Sequence, residues 1–409
     1  MDTGDTGFIM MCTALVFIMT PGLAFFYGGM VRKKNVLSTL MHSWVVIGIM
    51  SLQWILIGYT LAFGPDYHGL IGGLDWMGLN GVGMDPNPDY AATLPAIVFM
   101  GFQMMFAVIT PALISGSIAE RMRFPAFVIF MVLWATLVYD PLAHWVWGVG
   151  GFLRTLGALD FAGGNVVHIS SGYSALIVAI ILGKRRGLGK DSMAPHHVPM
   201  TVLGAGLLWF GWFGFNAGSA LGANGLAGMA FVNTNTAAAA AALAWAVVER
   251  IHRGKSTMLG TASGAVAGLV AITPGAGFVT PMSALFIGLV GGSICYLAIG
   301  VIKAKLGYDD ALDAFGCHGI GGTWGALATG IFATKSINPA GNDGLFYGNA
   351  SLLGIQAISV LVTIVFTVTA TFIILKVIGM VMKLRVTEEE ESNGLDLSLH
   401  GERAYSEFM

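Results

Sequence analysis

The chain has 409 residues, 56% of them hydrophobic and 10% charged, with a mean hydropathy of +0.76. A soluble domain carries about 25% charged residues, so this chain lacks the polar surface a water-soluble body of its size needs. It is equally far from the low hydrophobicity and high charge of a disordered chain. With 20 Lys+Arg against 22 Asp+Glu the net charge is −2, and no basic excess points to nucleic acid.

What remains is an all-α polytopic membrane protein, in which each span needs about 20 mostly apolar residues. Charge-free stretches place spans at 6–31, 43–63 and 91–119, the third ended by Glu120-Arg121-Met122-Arg123. A fourth at 124–147 contains Asp140-Pro141, which predicts an irregular end, and a fifth runs over 162–183. The uncharged stretch 192–248 is too long for one helix and divides at its Gly/Asn/Ser cluster into 198–217 and 226–248. Thr273-Pro274-Gly275 divides the next into 257–273 and 280–302, and spans at 314–333 and 349–382 complete eleven. Cys12, Cys295 and Cys317 lie in apolar runs and read as small hydrophobes. Glycines spaced by four, as in Gly260-Gly264-Gly268, Gly214-Gly218-Gly222 and Gly321-Gly325, suit close helix approach in a bilayer.

The basic residues test this count. Arg32, Lys33 and Lys34, then Arg121 and Arg123, then Lys184 to Lys190, then Arg250 to Lys255, then Lys303 and Lys305, and finally the tail all fall on alternate connections. Only Arg154 and Lys335 fall on the other side. By the positive-inside rule the N-terminus is outside and the C-terminus cytoplasmic. The start, Met1-Asp2-Thr3-Gly4-Asp5, is acidic where a signal peptide would be basic. Asp66, Asp75, Asp85 and Asp89 in the outer second loop read as solvated.

Two histidines lie deep in the expected spans, His168 in the fifth and His318 in the tenth, each eight residues after an aspartate, Asp160 or Asp310. They are five spans apart, so the second half is inverted relative to the first. Inverted repeats are a transporter signature, with the site near the midplane at their interface. Ionisable groups inside a span usually serve function. A metal would need a third ligand, and adjacent Cys317 points about 100° away from His318 on a helix. Phe102 and Phe106 share a helix face at i, i+4, while Trp209, Trp212, Phe213 and Phe215 crowd the end of the sixth span before Asn216-Ala217-Gly218-Ser219. These aromatics, with Trp145 and Trp147, fit either an interfacial belt or a cation–π vestibule.

The strings Phe102-Gln103-Met104-Met105-Phe106-Ala107, Asp160 through His168, Trp212 through Ser219 and Asp309 through His318-Gly319 resemble the ammonium transporter (Amt/Mep/Rh) family. The tail strings Gly394-Leu395-Asp396 and His400-Gly401-Glu402-Arg403-Ala404-Tyr405 are similar to its microbial branch. The resemblance implies a transporter, not an enzyme, that needs no cofactor. It implies a homotrimer of eleven-helix subunits in a bacterial inner membrane, each subunit with its own pore. By motif, Trp147, Ser219 and Phe102 fall at an outer ammonium recruitment site. Phe106 and Phe215 form a stacked gate, Trp212, His168 and His318 line the pore, and Asp160 is a buried structural and electrostatic acid. Residues 1–385 form the transport domain and 386–409 a cytoplasmic regulatory tail, with a PII-type signalling protein as a candidate partner at the inner face. Two departures stand out: Asp140 where Asn is expected, which would alter vestibule charge, and Leu397-Ser398-Leu399 before His400. About 25 residues follow the last span, without a signalling domain, so transport is the expectation and a sensor the alternative.

These residue types suit ammonium, which has four donors and no acceptor. Burying the bare ion costs up to about 20 kcal/mol by the idealised Born estimate. Taking a proton from an amine of pKa about 10 at pH 7 costs roughly 4 kcal/mol. An apolar pore therefore passes the neutral amine, and potassium, with no proton to lose, is excluded.

Overall fold

The computed structural model describes residues 1–405. Among these, nine helices are long and apolar enough to cross a membrane. They are α1 (Thr3–Met30), α2 (Lys33–Phe63), α3 (Ala96–Ile118), α4 (Phe124–Leu156), α5 (Gly164–Leu182), α6 (Val198–Gly218), α7 (Gly225–Arg253), α9 (Pro281–Leu306) and α11 (Ala350–Val381). A shorter apolar helix, α8 (Met258–Ile272), and α10 over 315–332 occupy the eighth and tenth expected places. The last four residues of the predicted tail, 406–409, lie outside the described residues.

Several ends differ from the charge-free stretches. The third helix begins at Ala96, not 91, because Ala91–Pro95 is a strand paired with Pro86–Asn87. Pro95 forces extended backbone before it and serves as the N-cap. Helix α1 starts earlier than expected, since Asp2 accepts from the Asp5 amide and caps it. Helix α7 runs on through Glu249 and Arg250 to Gly254, whose φ of 80° closes it. The irregularity expected in α4 is a π-helical segment at Ala135–Tyr139. Pro141 has no N–H for the Leu137 carbonyl four residues back, so the regular ladder fails there.

Close backbone approach holds the bundle. A Cβ on Gly204 of α6 would sit 2.2 Å from the Phe26 nitrogen of α1, and one on Gly268 of α8 would sit 2.4 Å from the Ala237 carbonyl of α7. The tail is ordered through Tyr405. A capping box at Thr387 and Glu390 starts α12 (Glu388–Asn393), and α13 (Leu395–His400) follows. The acidic run Glu388-Glu389-Glu390-Glu391 begins at the exposed surface and ends buried. Glu391 is buried, accepting from the Arg186 amide and pairing with Arg385 at 2.7 Å.

Candidate substrate pathway

At the end of the bundle where α3 begins, a cavity of about 160 Å³ is lined by Phe106, Trp147 and Ser219, with Phe99, Gln103 and Phe161. Trp147 is fixed by its indole N–H donating to the Asp160 carbonyl at 2.9 Å. The Ser219 hydroxyl donates to the Phe215 carbonyl at 2.9 Å, which leaves its oxygen free to accept. Phe102 does not line this cavity. It is fully buried, edge-on to Phe106 at 5.0 Å, under Gly218. The wall is the i, i+4, i+7 face Phe99, Gln103 and Phe106; Phe102 lies at the edge of this face, about 40° from Phe106 and about 100° from Gln103 around the helix. A polar Gln103 on that face of an otherwise apolar run was the available signal. Asp89 and Arg154 also reach the wall, Asp89 as an exposed residue of the loop, as expected.

Below the cavity Phe106 and Phe215 stack, with centroids 4.2 Å apart and planes at 27°. Beyond them a space of only about 10 Å³, barely one water in size, is lined by His168, His318, Trp212 and apolar side chains. His168 stacks on Trp212 at 5.4 Å and on His318 at 5.3 Å. The Trp212 indole is held by Thr273 at 2.9 Å. The two Nδ1 atoms lie 3.2 Å apart, and the buried His168 Nε2 has no partner among the described residues.

The two histidines are held by matched devices. Each sits in a π-helical turn, Gly164–Ile169 or Phe315–Gly319. Such turns are rare and favour functional sites. Each turn is capped by the aspartate the spacing had marked. Asp160 accepts from the amides of Gly163, Gly164 and Asn165 at 2.6–2.8 Å, and Asp310 accepts from Phe315 at 2.7 Å. Four residues after each histidine a glycine admits the other half. A Cβ on Gly172 would lie 2.1 Å from the Gly319 nitrogen, and one on Gly322 2.9 Å from the His168 Cβ. Asp140, the acidic departure, is fully buried, accepts from Gln53 at 2.6 Å and is not part of the outer wall.

At the opposite end, just past the C-terminus of α3, Glu120, Asp309, Arg32, Arg121 and Arg185 form a buried ion network. Arg32 meets Glu120 at 2.7 Å, and Arg185 meets Asp309 at 2.9 Å and Glu120 at 3.5 Å. Burial opposes ionisation of both carboxyls. Arg185 and Arg32 outweigh it for Glu120, and Arg185 and Arg121 for Asp309, so both are held below their ordinary values.

A multi-helical membrane bundle enclosing an aromatic cavity and a paired-imidazole constriction is the architecture of a small-solute transporter. The chain belongs to the Ammonium Transporter Family, whose profile matches residues 7–405. It is 60% identical to an ammonium transporter of Bacillus subtilis over the full length of both chains. It is 49% identical to an ammonium transporter of Aquifex aeolicus, over 99% of this chain and 94% of the other. Among solved structures, Saccharomyces cerevisiae Mep2 superposes with a TM-score of 0.88 at 38% identity, covering 95% of this chain and 88% of the other. A protein described as a sensor Amt protein gives 0.89 at 34%, covering 97% and 98%.

Proposed function

We propose that the chain recruits ammonium at the outer cavity, removes its proton, which returns to the outer water or crosses by its own route, and conducts ammonia inward past His168 and His318. The observation that carries this is the Phe106–Phe215 stack lying directly above a narrow, mostly apolar chamber lined by both imidazoles. Trp147, Phe106 and the Ser219 oxygen supply π faces and an acceptor for the cation. Phe102 contributes by backing Phe106. At the imidazole pair one Nδ1 carries the shared hydrogen and the other accepts it. The donor ring therefore presents a bare Nε2, and the acceptor ring an Nε2–H. Ammonia, with three donors and one lone pair, matches both; the roles swap when the shared hydrogen crosses while the acceptor ring loses its Nε2 proton and the donor ring's Nε2 gains one.

In this reading the subunit has eleven spans, with α8 and α10 crossing as short helices. The halves α1–α5 and α6–α10 are an inverted repeat, supported by the matched π turns, aspartate caps and glycines. Residues 1–385 are the transport domain of a homotrimer in a bacterial inner membrane, N-terminus outside, and 386–409 a regulatory tail. A sensor signalling through that tail, or a PII-type partner bound to it, is the second reading. It is favoured by the tail's hydrogen bonds to the start of α2, such as Leu395 N–H to Asn35 and Ser38 N–H to Asp396, both 2.8 Å. The test is current recording from proteoliposomes on a solid support. Ammonium pulses should give a saturable response, or internal alkalinisation if transport is neutral, and potassium pulses neither. Silence to ammonium on both readouts would refute transport.

A further inference from the structure

Beyond His318 the pathway continues through a cavity of about 40 Å³ into a wide inner cavity of about 980 Å³. Asp313 lines both, and is the carboxylate an emerging solute meets first. Its carboxylate is already occupied. The Lys303 ammonium lies 2.6 Å from Asp313 Oδ1 and 2.5 Å from the Asp310 carbonyl. A lysine ammonium is a primary alkylammonium, so the seat that holds it has the acceptor chemistry of an ammonium site: one carboxylate oxygen and one carbonyl oxygen, about 2.5–2.6 Å from a single nitrogen.

Two features make this occupant displaceable. The side chains of Lys303 and Asp313 are 22% and 33% exposed, so water reaches the pair, and partly exposed pairs hold weakly. The seat itself is fixed by backbone. Asp313 adopts a φ of 64°, uncommon outside glycine but tolerated by aspartate. Its carbonyl accepts from the Cys317 amide, one residue before His318. The other charged groups of the inner cavity, Lys184, Glu249 and Arg253, are not hydrogen-bonded to this pair.

We propose that Asp313 and the Asp310 carbonyl form an inner ammonium seat with Lys303 as its tethered, displaceable occupant. The inference rests on the transport reading above. Ammonia leaving the chamber takes a proton from hydronium in the inner cavity, giving ammonium and water, and the carboxylate stays ionised. The new cation pairs with Asp313 only by displacing Lys303. The lysine thereby keeps cytoplasmic ammonium from holding the mouth and limits product inhibition.

The test uses full-length protein in proteoliposomes of defined orientation, measuring the inner-side ammonium concentration that halves inward flux. Lys303→Met should lower that concentration about tenfold, while Lys303→Arg keeps the wild-type value. Adding Asp313→Asn to Lys303→Met should abolish the increase in sensitivity. Lys303→Gln, expected to change in the same direction, serves if the Met variant does not insert. An unchanged half-inhibition concentration in a transporting, inserted Met or Gln variant overturns the proposal. So does loss of flux in such a variant, since removing a competitor cannot abolish entry. A wild-type protein without ammonium flux would instead refute the transport reading.

Discussion

Phe215 carries two contacts that pull in different directions for function. It stacks on Phe106 at 4.2 Å and lies 6.1 Å from His168, so it both closes the outer cavity and borders the imidazoles. Its carbonyl also fixes the Ser219 hydroxyl. Phe215→Ala removes a fully buried aromatic ring, a change that typically costs about 3–5 kcal/mol. A mere plug would leak in this variant. A positioning ring would lose transport, because ammonium is no longer held where its proton leaves. Loss is the expected result in radiolabelled methylammonium uptake by inserted protein, and unchanged uptake would exclude both roles. The residues around this ring were legible in the sequence to different degrees. His168, His318 and their aspartates stood out because charge is rare in a span. Phe102, expected at the recruitment site, backs Phe106 without lining the cavity, because a motif match names residues without their rotation about the helix. Asp140 looked like vestibule charge because sequence does not show that Gln53, 87 positions away, takes its carboxylate.

At the scale of elements, the pathway depends on two π turns pressed together at glycines. The eight-residue spacing pointed to a repeat, but neither the π turns nor the crossing at Gly172 and Gly322 could be read from it, because both arise from the contact between halves. Gly172→Ala would place a methyl against the Gly319 backbone, and backbone cannot swing aside as a side chain does. Overpacking of this kind costs typically 1–3 kcal/mol, and here it would also separate the imidazoles. A lower melting temperature in detergent and reduced flux are expected together. A variant with normal flux would show that the halves tolerate separation. Helix ends were the least legible feature, since Asp2, Pro95 and Gly254 act by capping geometry and hydropathy does not register it.

For the whole molecule, the inner face joins the tail to the pore-bearing helices. Glu391 of the tail accepts from Arg186, next to Arg185, which grips Asp309 one residue before the cap of the His318 turn. Deleting 393–409 removes Leu395 and Asp396 from their partners on α2 and should reduce flux while the protein stays inserted and assembled. Wild-type transport in such a variant would contradict a regulatory tail. The network also sets an acid limit. The carboxyls of Glu120 and Asp309 have depressed folded-state values, so their stabilisation is complete above the ordinary carboxylate range. It is lost as pH falls below the ordinary carboxylate range through the folded values. Glu120→Gln should lower the melting temperature at pH 7, since unpairing a buried ion costs about 3–5 kcal/mol, and should flatten the acid decline. An acid profile identical to wild type would place the sensitivity elsewhere.

The central claim is that ammonium must lose its proton to pass the chamber of His168 and His318. The most direct measurement is potassium and ammonium response in proteoliposomes of the His168→Leu, His318→Leu double variant, beside wild type. If the imidazoles enforce passage of the neutral amine, the inserted double variant discriminates less against potassium, and its ammonium response changes with it. Full ammonium flux with unchanged potassium exclusion in that variant would contradict the account.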